Sequence, residues 1–383
     1  MDKCQVAVMA CESYDISALM QKINAGAECI GGWDQWLKSG MNVLLKVNLI
    51  GPLSSETAAV THCEFVRAVT RILKTHGCHV WIGDSSGGAI GGKAQTGRSF
   101  SVSGIQKVAD EEGAVIKNFD KEGAVEVTTQ SGDKIFIAKP MFDADLVINL
   151  PKLKTHMAAV YTGAVKNLFG CIPGLKKAEY HKIASSTKSF GQVICDINQA
   201  VKIGINIMDG VLAMDKQGPI SGGIYKANKI LMSTDSLALD TVACSMIGLD
   251  IERLPIFEAS INSKIGEWRS EHIALCGDFT AVPKLTGYRI PKALLKGSKD
   301  SKALGKIIDL MKTRPKVNLK TCKKCNVCVE SCPVQAIDKE SKSIDYDTCI
   351  ECMCCHELCV HKAVKLVNVN PVMRFFSVFR RQD

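Results

Sequence analysis

The run Cys322-x2-Cys325-x2-Cys328-x3-Cys332-Pro333 is followed by Cys349-x2-Cys352-x2-Cys355-x3-Cys359-Val360. Three cysteines at steps of three wrap a tight loop around one corner-rich cubane of iron and sulfur. The fourth, three residues further on behind a short helix, reaches a second cubane. Zinc prefers isolated four-ligand sites, usually two separated C-x2-C pairs, and a doubled four-cysteine run does not have that form. Thiolate-bound cubanes move single electrons, so electron transfer is the minimum function expected. Pro333 turns the chain back after the first run. Val360 stands in the matching place after the second and removes no ligand. Cys354 is an extra thiol between two expected ligands, read as a spectator or as a partner for ligand exchange with Cys355.

The rest of the chain sets the context. Of 383 residues, 46% are hydrophobic and 23% charged, an ordinary globular composition with room for two or three domains. No apolar run reaches the roughly 18 residues that cross a bilayer, and the start of the chain lacks the apolar stretch and cleavage site of a secretory signal. Eighteen cysteines are too many for a chain of this kind unless metal explains them. Nine fall between Cys322 and Cys359. The other nine are scattered, with no two at C-x2-C spacing, and read as small core hydrophobes. The net charge of +9 is uneven. Residues 291–320 form a basic connector with a helical stretch at Ser301–Lys312, and it could steer an acidic redox partner.

Residues 1–290 alternate strand-like and helix-like segments. Gln5–Ala10, Val43–Ile50, His79–Gly83, Ala114–Phe119, Leu146–Leu150, Ile205–Met208, Ile230–Ser233 and His272–Leu275 read as strands. Thr61-x-x-Glu64 reads as a capping box opening a helix to Lys74. Further helices are expected at Ser103–Glu112, Phe190–Val201 and from Ser236 to Ile247, with a hairpin pairing Val125–Thr129 and Lys134–Ala138. The alternation predicts an α/β fold: a mainly parallel sheet with flanking helices, plus a small C-terminal α+β ferredoxin-like iron-sulfur domain. The expected divisions are 1–290, the linker 291–320, the cluster domain 321–366 and an amphipathic basic tail 367–383.

Parallel sheets bind ligands beyond the carboxyl ends of their strands. Asn48 beside Lys46, Asp84 before Ser85-Ser86-Gly87-Gly88, the segment Asn149 to His156, and Asp209-Gly210 all fall there, which predicts one site. Gly87-x4-Gly92-Lys93 approaches a phosphate loop, but Ala94 stands where Ser or Thr would hold magnesium, so nucleotide hydrolysis is not expected. A plain anion-binding glycine loop remains open. Lys152 and Lys154 are candidates to anchor a carboxylate or phosphate, and His156, with Lys166 following, to transfer a proton.

The cysteine runs resemble the bacterial two-cluster ferredoxin. The resemblance implies that Cys322, Cys325, Cys328 and Cys359 hold one 4Fe-4S cluster, and that Cys332, Cys349, Cys352 and Cys355 hold the other. Residues 1–290, with Gly83-Asp84-Ser85, the lysine-histidine segment and Asp209-Gly210-Val211, resemble the "domain of unknown function 362" family, which often carries such a module at its C-terminus. A fainter likeness is to the nickel-pincer lactate racemase family. There a His, a Lys ten residues on and a second His hold the cofactor, and His156, Lys166 and His181 stand at similar spacing. The last spacing differs by one, and Gly83-Asp84-Ser85 replaces that family's His-bearing loop. A nickel-pincer or other organic cofactor is implied by this likeness alone.

Three functions compete. The first is an oxidoreductase whose clusters exchange electrons with a small-molecule substrate at the strand ends. Lys154, His156 and Lys166 would be catalytic, and Asn48, Asp84, Lys152, His181 and Asp209 would bind substrate or anion. The second is an electron carrier or adaptor docking on a partner redox enzyme. The third is a redox-sensing regulator on a membrane or nucleic acid. The linker has no aromatic residue, so nucleic acid is not expected. The tail, with Arg374, Phe375, Phe376, Phe379, Arg380 and Arg381, could make peripheral membrane contact. Oxygen-labile cubanes point to the cytoplasm of an anaerobe.

Overall fold

Strands apolar on both sides need cover on both faces, and a helical layer on each face of the sheet supplies it. The structure, a computed structural model, describes residues 3–157, 159–174, 176–184, 186–290 and 313–369. The large sheet contains β1 (Cys4–Ala10), β2 (Asn42–Lys46) and β3 (His79–Asp84). A small hairpin, β4 (Ala89–Ile90) with β5 (Lys93–Ala94), precedes the edge strand β6 (Val115–Asn118). A second hairpin, β7 (Ala124–Thr128) with β8 (Lys134–Ala138), lies off the sheet. Then come β9 (Leu146–Asn149), β10 (Lys152–His156), β11 (Val160–Thr162), β12 (Ile205–Asp215), β13 (Gly223–Ser233) and β14 (Ile273–Gly277).

The order is β14-β1-β13-β12-β9-β2-β3-β6, with β10 and β11 joined beside β12. Most neighbours are parallel. β13 runs antiparallel to both β1 and β12, and β10 runs antiparallel to β11. The sheet is therefore mixed but mainly parallel, with α/β character.

The period of two along each strand divides the interior. Val6, Val8, Leu44, Met208 and Leu231 face one core, packed with the helices Thr187–Ala200 and Ser236–Met246. Ala7, Met9, Val43, Leu45, Ile207 and Ile230 face the other, under Ile16–Cys29 and Cys63–Thr75. Asp15 caps the first of these helices, accepting from Ala18 N–H.

Several expectations shift. The helix beginning near residue 62 is capped by His62, which accepts from Glu64 N–H, while Thr61 Oγ1 donates to the Leu150 carbonyl instead. The expected helix 103–112 is two helices, Thr96–Ser103 and Ile105–Glu112, parted by Gly104 at φ 84. The lysine-histidine segment is not a loop. It forms β10, because Thr155, Leu153 and the lysine stems are buried against β12.

The C-terminal module is closed by β15 (Thr313–Val317) and β16 (Val364–Asn368), paired antiparallel. Residues 313–317 were expected in the linker; they are a strand because Pro315 and Val317 are buried in the module. The expected helix Ser301–Lys312 and the tail from residue 370 lie outside the described residues. The internal repeat is visible in the backbone. Lys324, Asn326 and Gln335 in the first run, and Glu351, Met353 and Lys362 at the matching places in the second, all adopt positive φ.

The module clamps onto the large domain through the glycine loop. The Gly91 and Gly92 amides face the Glu330 carboxylate, with Gly92 N donating to Oε2 at 2.9 Å, and Ala89 N donates to Ser331 Oγ at 3.3 Å. Both glycines have positive φ, which turns their amides to one side. The expected anion-binding loop does hold an anion, and that anion is a side chain of the same molecule. Replacing Glu330 with Ala is expected to speed amide hydrogen exchange in residues 89–94 severalfold while leaving the sheet strands protected. Unchanged exchange there would show that the carboxylate does not hold the loop.

Candidate functional site

Each cysteine quartet surrounds an open volume. Cys322, Cys325, Cys328 and Cys359 line one cavity. Cys332, Cys349, Cys352 and Cys355 line another, walled by Ile337, Ile344 and Ile350. Among the described residues no three His, Cys, Asp or Glu side chains converge on a single-ion position. Four thiolates spread around a void suit the corners of a cubane. Backbone amides already point at sulfur: Lys324 N at Cys322 Sγ (3.3 Å), Ala336 N at Cys332 Sγ (3.2 Å) and Ala363 N at Cys359 Sγ (3.2 Å). Such N–H donors favour the thiolate form and help set a cluster's potential. The residues therefore fit two 4Fe-4S clusters, in the crossed arrangement expected from the spacing.

A larger pocket lies between the carboxyl ends of β2, β3 and β10 and the iron-sulfur module. From the large domain, Asn48, Asp84, Lys154, His156, Lys166 and His181 line it. These are six of the eight residues expected there. From the module come Glu330 and Ser331, together with Cys354, Glu357 and Leu358 from the segment between Cys352 and Cys359.

The floor is an ion pair. Lys46 Nζ lies 2.9 Å from Asp84 Oδ1, and neither residue is more than 1% exposed. Asp84 also accepts from Ser85 N and Leu49 N, so its oxygens are spent on the protein. It shapes the pocket and is not placed to hold a ligand. A Cβ on Gly170 would collide with this pair, which accounts for the glycine.

Beside the floor runs a one-way chain of amides. Lys154 Nζ donates to Asn48 Oδ1 (2.6 Å), Asn48 Nδ2 to Asn167 Oδ1 (2.7 Å), Asn167 Nδ2 to Asn149 Oδ1 (2.7 Å) and Asn149 Nδ2 to Asn206 Oδ1 (2.8 Å). The ammonium donates at one end, so every amide must point the same way. Lys154 also donates to the Ala59 carbonyl at 2.6 Å and, among the described residues, meets no carboxylate within ion-pair distance. Burial, then Lys166 and Lys152, pull its pKa well below the usual lysine value.

The other bases repel one another across the same space. Burial lowers the pKa of His156 well below normal, with Lys166 and Lys154 adding to it. Burial brings His181 down to about 4, helped by Lys166 and Lys177. His156 Nδ1 accepts from Ala159 N (3.1 Å), which puts the ring proton on Nε2, 3.3 Å from Glu357 Oε1. That carboxylate oxygen is buried and has no hydrogen-bond partner.

Two expected ligand-binding residues are elsewhere. Lys152 and Asp209 form their own buried pair at 2.7 Å, both fully shielded from water. Tyr14 closes it, accepting from Lys152 Nζ and donating to Asp209, and its ring stacks on His62 at 3.5 Å. They are corrected to structural roles, because each satisfies the other and neither lines the pocket.

Lys177, Glu357 and Cys354 are pocket residues that spacing did not reveal. Lys177 sits in the helix Lys176–Ile183, whose charged sequence reads as a solvated surface; its ammonium instead donates to Ser85 Oγ at 2.6 Å. Cys354, read as a spectator, lines both this pocket and the cavity of Cys332, Cys349, Cys352 and Cys355.

Residues 43–245 match the family described as a domain of unknown function, DUF362, and residues 314–360 match a 4Fe-4S dicluster domain. A thylakoid-associated protein of Synechocystis sp. (strain ATCC 27184 / PCC 6803 / Kazusa) is 31% identical over 255 residues, 66% of this chain and 78% of that protein. The lactate racemase apoprotein of Thermoanaerobacterium thermosaccharolyticum aligns with a TM-score of 0.41 at 13% identity, over 62% of this chain and 56% of that enzyme. The chain thus spans little more than half that enzyme's length. No helix among the described residues is long and apolar enough to cross a membrane.

Burial brings the pKa of Lys177 down to about 8, opposed by Asp84 and Asp120. It is a cation below that pH and a neutral amine above it. Competitive acylation of the intact protein, resolved by residue in a mass spectrometer, is expected to show Lys177 half-reactive near pH 8, against 10.5 for an ordinary lysine. A midpoint near the ordinary value would place this ammonium in open water.

Proposed function

The chain belongs to the DUF362 family and ends in a 4Fe-4S dicluster domain, and on that footing we propose that it is an iron-sulfur oxidoreductase acting on a small anionic compound held at the strand ends. One observation carries the reading. The loop that brings two cluster cysteines, Cys355 and Cys359, also brings Cys354, Glu357 and Leu358 into the pocket lined by Lys154, His156 and Lys166. A domain that merely docked a partner has no need to surround its own cluster loop with buried bases.

The cubanes, when bound, supply or accept electrons one at a time. The chain's own residues bind, orient and shield. Lys154 uses two of its three N–H donors on Asn48 and Ala59, leaving one for a ligand. Lys166 makes no hydrogen bond or ion pair among the described residues and lines the same wall. An anionic group between them would offset the burial that suppresses their charge. His156 holds a proton on Nε2 at the pocket, positioned to pass it to a compound gaining electrons. Phe169 and Leu358 add apolar surface to the lining.

His156, Lys166 and His181 all line this pocket, as the lactate racemase likeness implies. No step is assigned to nickel or to an organic cofactor. Thiols and cubanes suit a reducing cytoplasm, and we infer that setting. The cyanobacterial relative's thylakoid association makes peripheral membrane contact the second setting to test.

Protein purified without air is expected to carry about eight irons in two cubanes. Reduced chemically, freed of reductant and mixed with panels of small carboxylates and phosphate esters, it is expected to regain its oxidised visible spectrum with a true substrate. His156→Ala and Lys166→Ala are expected to keep the iron and slow that reoxidation at least tenfold. Wild-type rates in both variants would sink the catalytic reading and leave an electron carrier. Nickel, or a mass adduct on Lys166, would bring the organic-cofactor reading back.

A further inference from the structure

The two cluster cavities differ in what surrounds them. The cavity of Cys332, Cys349, Cys352 and Cys355 shares a wall, Cys354, with the substrate pocket, and most of its remaining lining is apolar. The cavity of Cys322, Cys325, Cys328 and Cys359 shares no lining residue with that pocket, and Lys323, Lys342 and His361 are part of its wall. One cluster position is therefore proximal to the substrate and the other distal.

Charge follows the same division. Around the distal position, residues 316–329 and 358–368 contain no Asp or Glu. They present Lys316, Lys320, Lys323, Lys324, Lys362 and Lys365 as exposed side chains, with Leu319 exposed to 61% among them. Cys322, Cys325 and Cys359 are themselves only partly covered. Around the proximal position the sign reverses: Asp345 and Asp347 are exposed, and the Asp345 carbonyl accepts from Cys349 N. A module of this size carrying opposite charge on its two ends has a direction.

We propose that the lysine rim over Cys322, Cys325 and Cys359 is the docking face for a small acidic one-electron carrier protein, which exchanges electrons with the distal cluster. The proposal rests on the oxidoreductase reading, since a substrate-facing cluster needs a second terminal for its electrons. In the reducing direction the carrier is oxidised by one electron as the distal cubane is reduced by one; no atom or proton moves. The electron then passes to the proximal cubane and the pocket, and the reverse direction retraces these steps. Complementary charge raises the encounter rate and orients the carrier over the cluster edge, while the exposed Leu319 offers the apolar centre that a transient contact needs. An anionic lipid surface would meet the same lysines but brings no electron.

A purified acidic flavodoxin serves as the probe, and binding to the intact cluster-loaded protein is read by surface plasmon resonance without air. Binding is expected to weaken about tenfold as ionic strength rises from about 0.05 to about 0.3 M. Lys323→Glu is expected to weaken it about tenfold, and Lys320→Glu with Lys362→Glu at least as much, with iron content unchanged in each. Asp345→Lys with Asp347→Lys, on the opposite end, is expected to leave it within twofold. No flavodoxin binding, equal binding by the lysine variants, or loss only in the aspartate variant would overturn the proposal. So would binding to phosphatidylglycerol vesicles through these lysines with none to flavodoxin. Because this readout needs no substrate, an intact docking face with no substrate turnover would count against the oxidoreductase reading alone.

Discussion

An ion pair shut away from water, Lys46 with Asp84 at 2.9 Å, sets the floor on which the pocket stands. A buried pair is tolerated only when its remaining hydrogen-bonding capacity is met. Asp84 meets it with two backbone amides, and Lys46 with the Val47 carbonyl. This spends the carboxylate nearest the strand ends. Lys154 is left donating to neutral oxygens, those of Asn48 and Ala59. Lys154 is held by Asn48 and by a run of asparagine amides that ties β2, β9 and β12 together. The ends of three strands thus cannot move independently, and the bases above them keep fixed positions.

The iron-sulfur module is part of the site and not an appendage. Its contact with the glycine loop substitutes an internal carboxylate, Glu330, for the external anion that such a loop can bind. The same contact brings the loop from Cys352 to Cys359 over the strand ends. A second carboxylate, Glu357, is thereby buried against His156 with one oxygen unpartnered. Leaving a buried acceptor unsatisfied costs about 1–3 kcal/mol.

Some of the site was legible from residue order alone. Asn48, Lys154, His156, Lys166 and His181 fall at or after strand ends, and a parallel sheet brings such positions to one edge. Lys152 and Asp209 met the same criterion and fail it in the structure. Side chains alternate along β10, so Lys152 and Lys154 lie on the same face, yet a shift in register between them gives them different neighbours. Lys152 meets Asp209 and Tyr14, while Lys154 meets the asparagine chain. Lys177 and Glu357 carry no spacing signal, because nothing near them in the chain shows that another domain covers them.

The sequence by itself determined the chemistry that is local. Cluster ligands repeat at steps of three because one loop must wrap one cubane, and the core strands alternate because each has two faces to bury. Local rules of this kind operate over a few residues, so they survive in a linear reading. Which cations share a cavity, which carboxylates are already spent, and which cysteine quartet borders the pocket were decided by tertiary structure. Those outcomes depend on contacts between segments up to three hundred residues apart, such as Lys46 and Asp84 beneath the pocket and Cys354 above it. Electrostatic energy depends on distance and burial in space, and neither is written in the spacing along the chain.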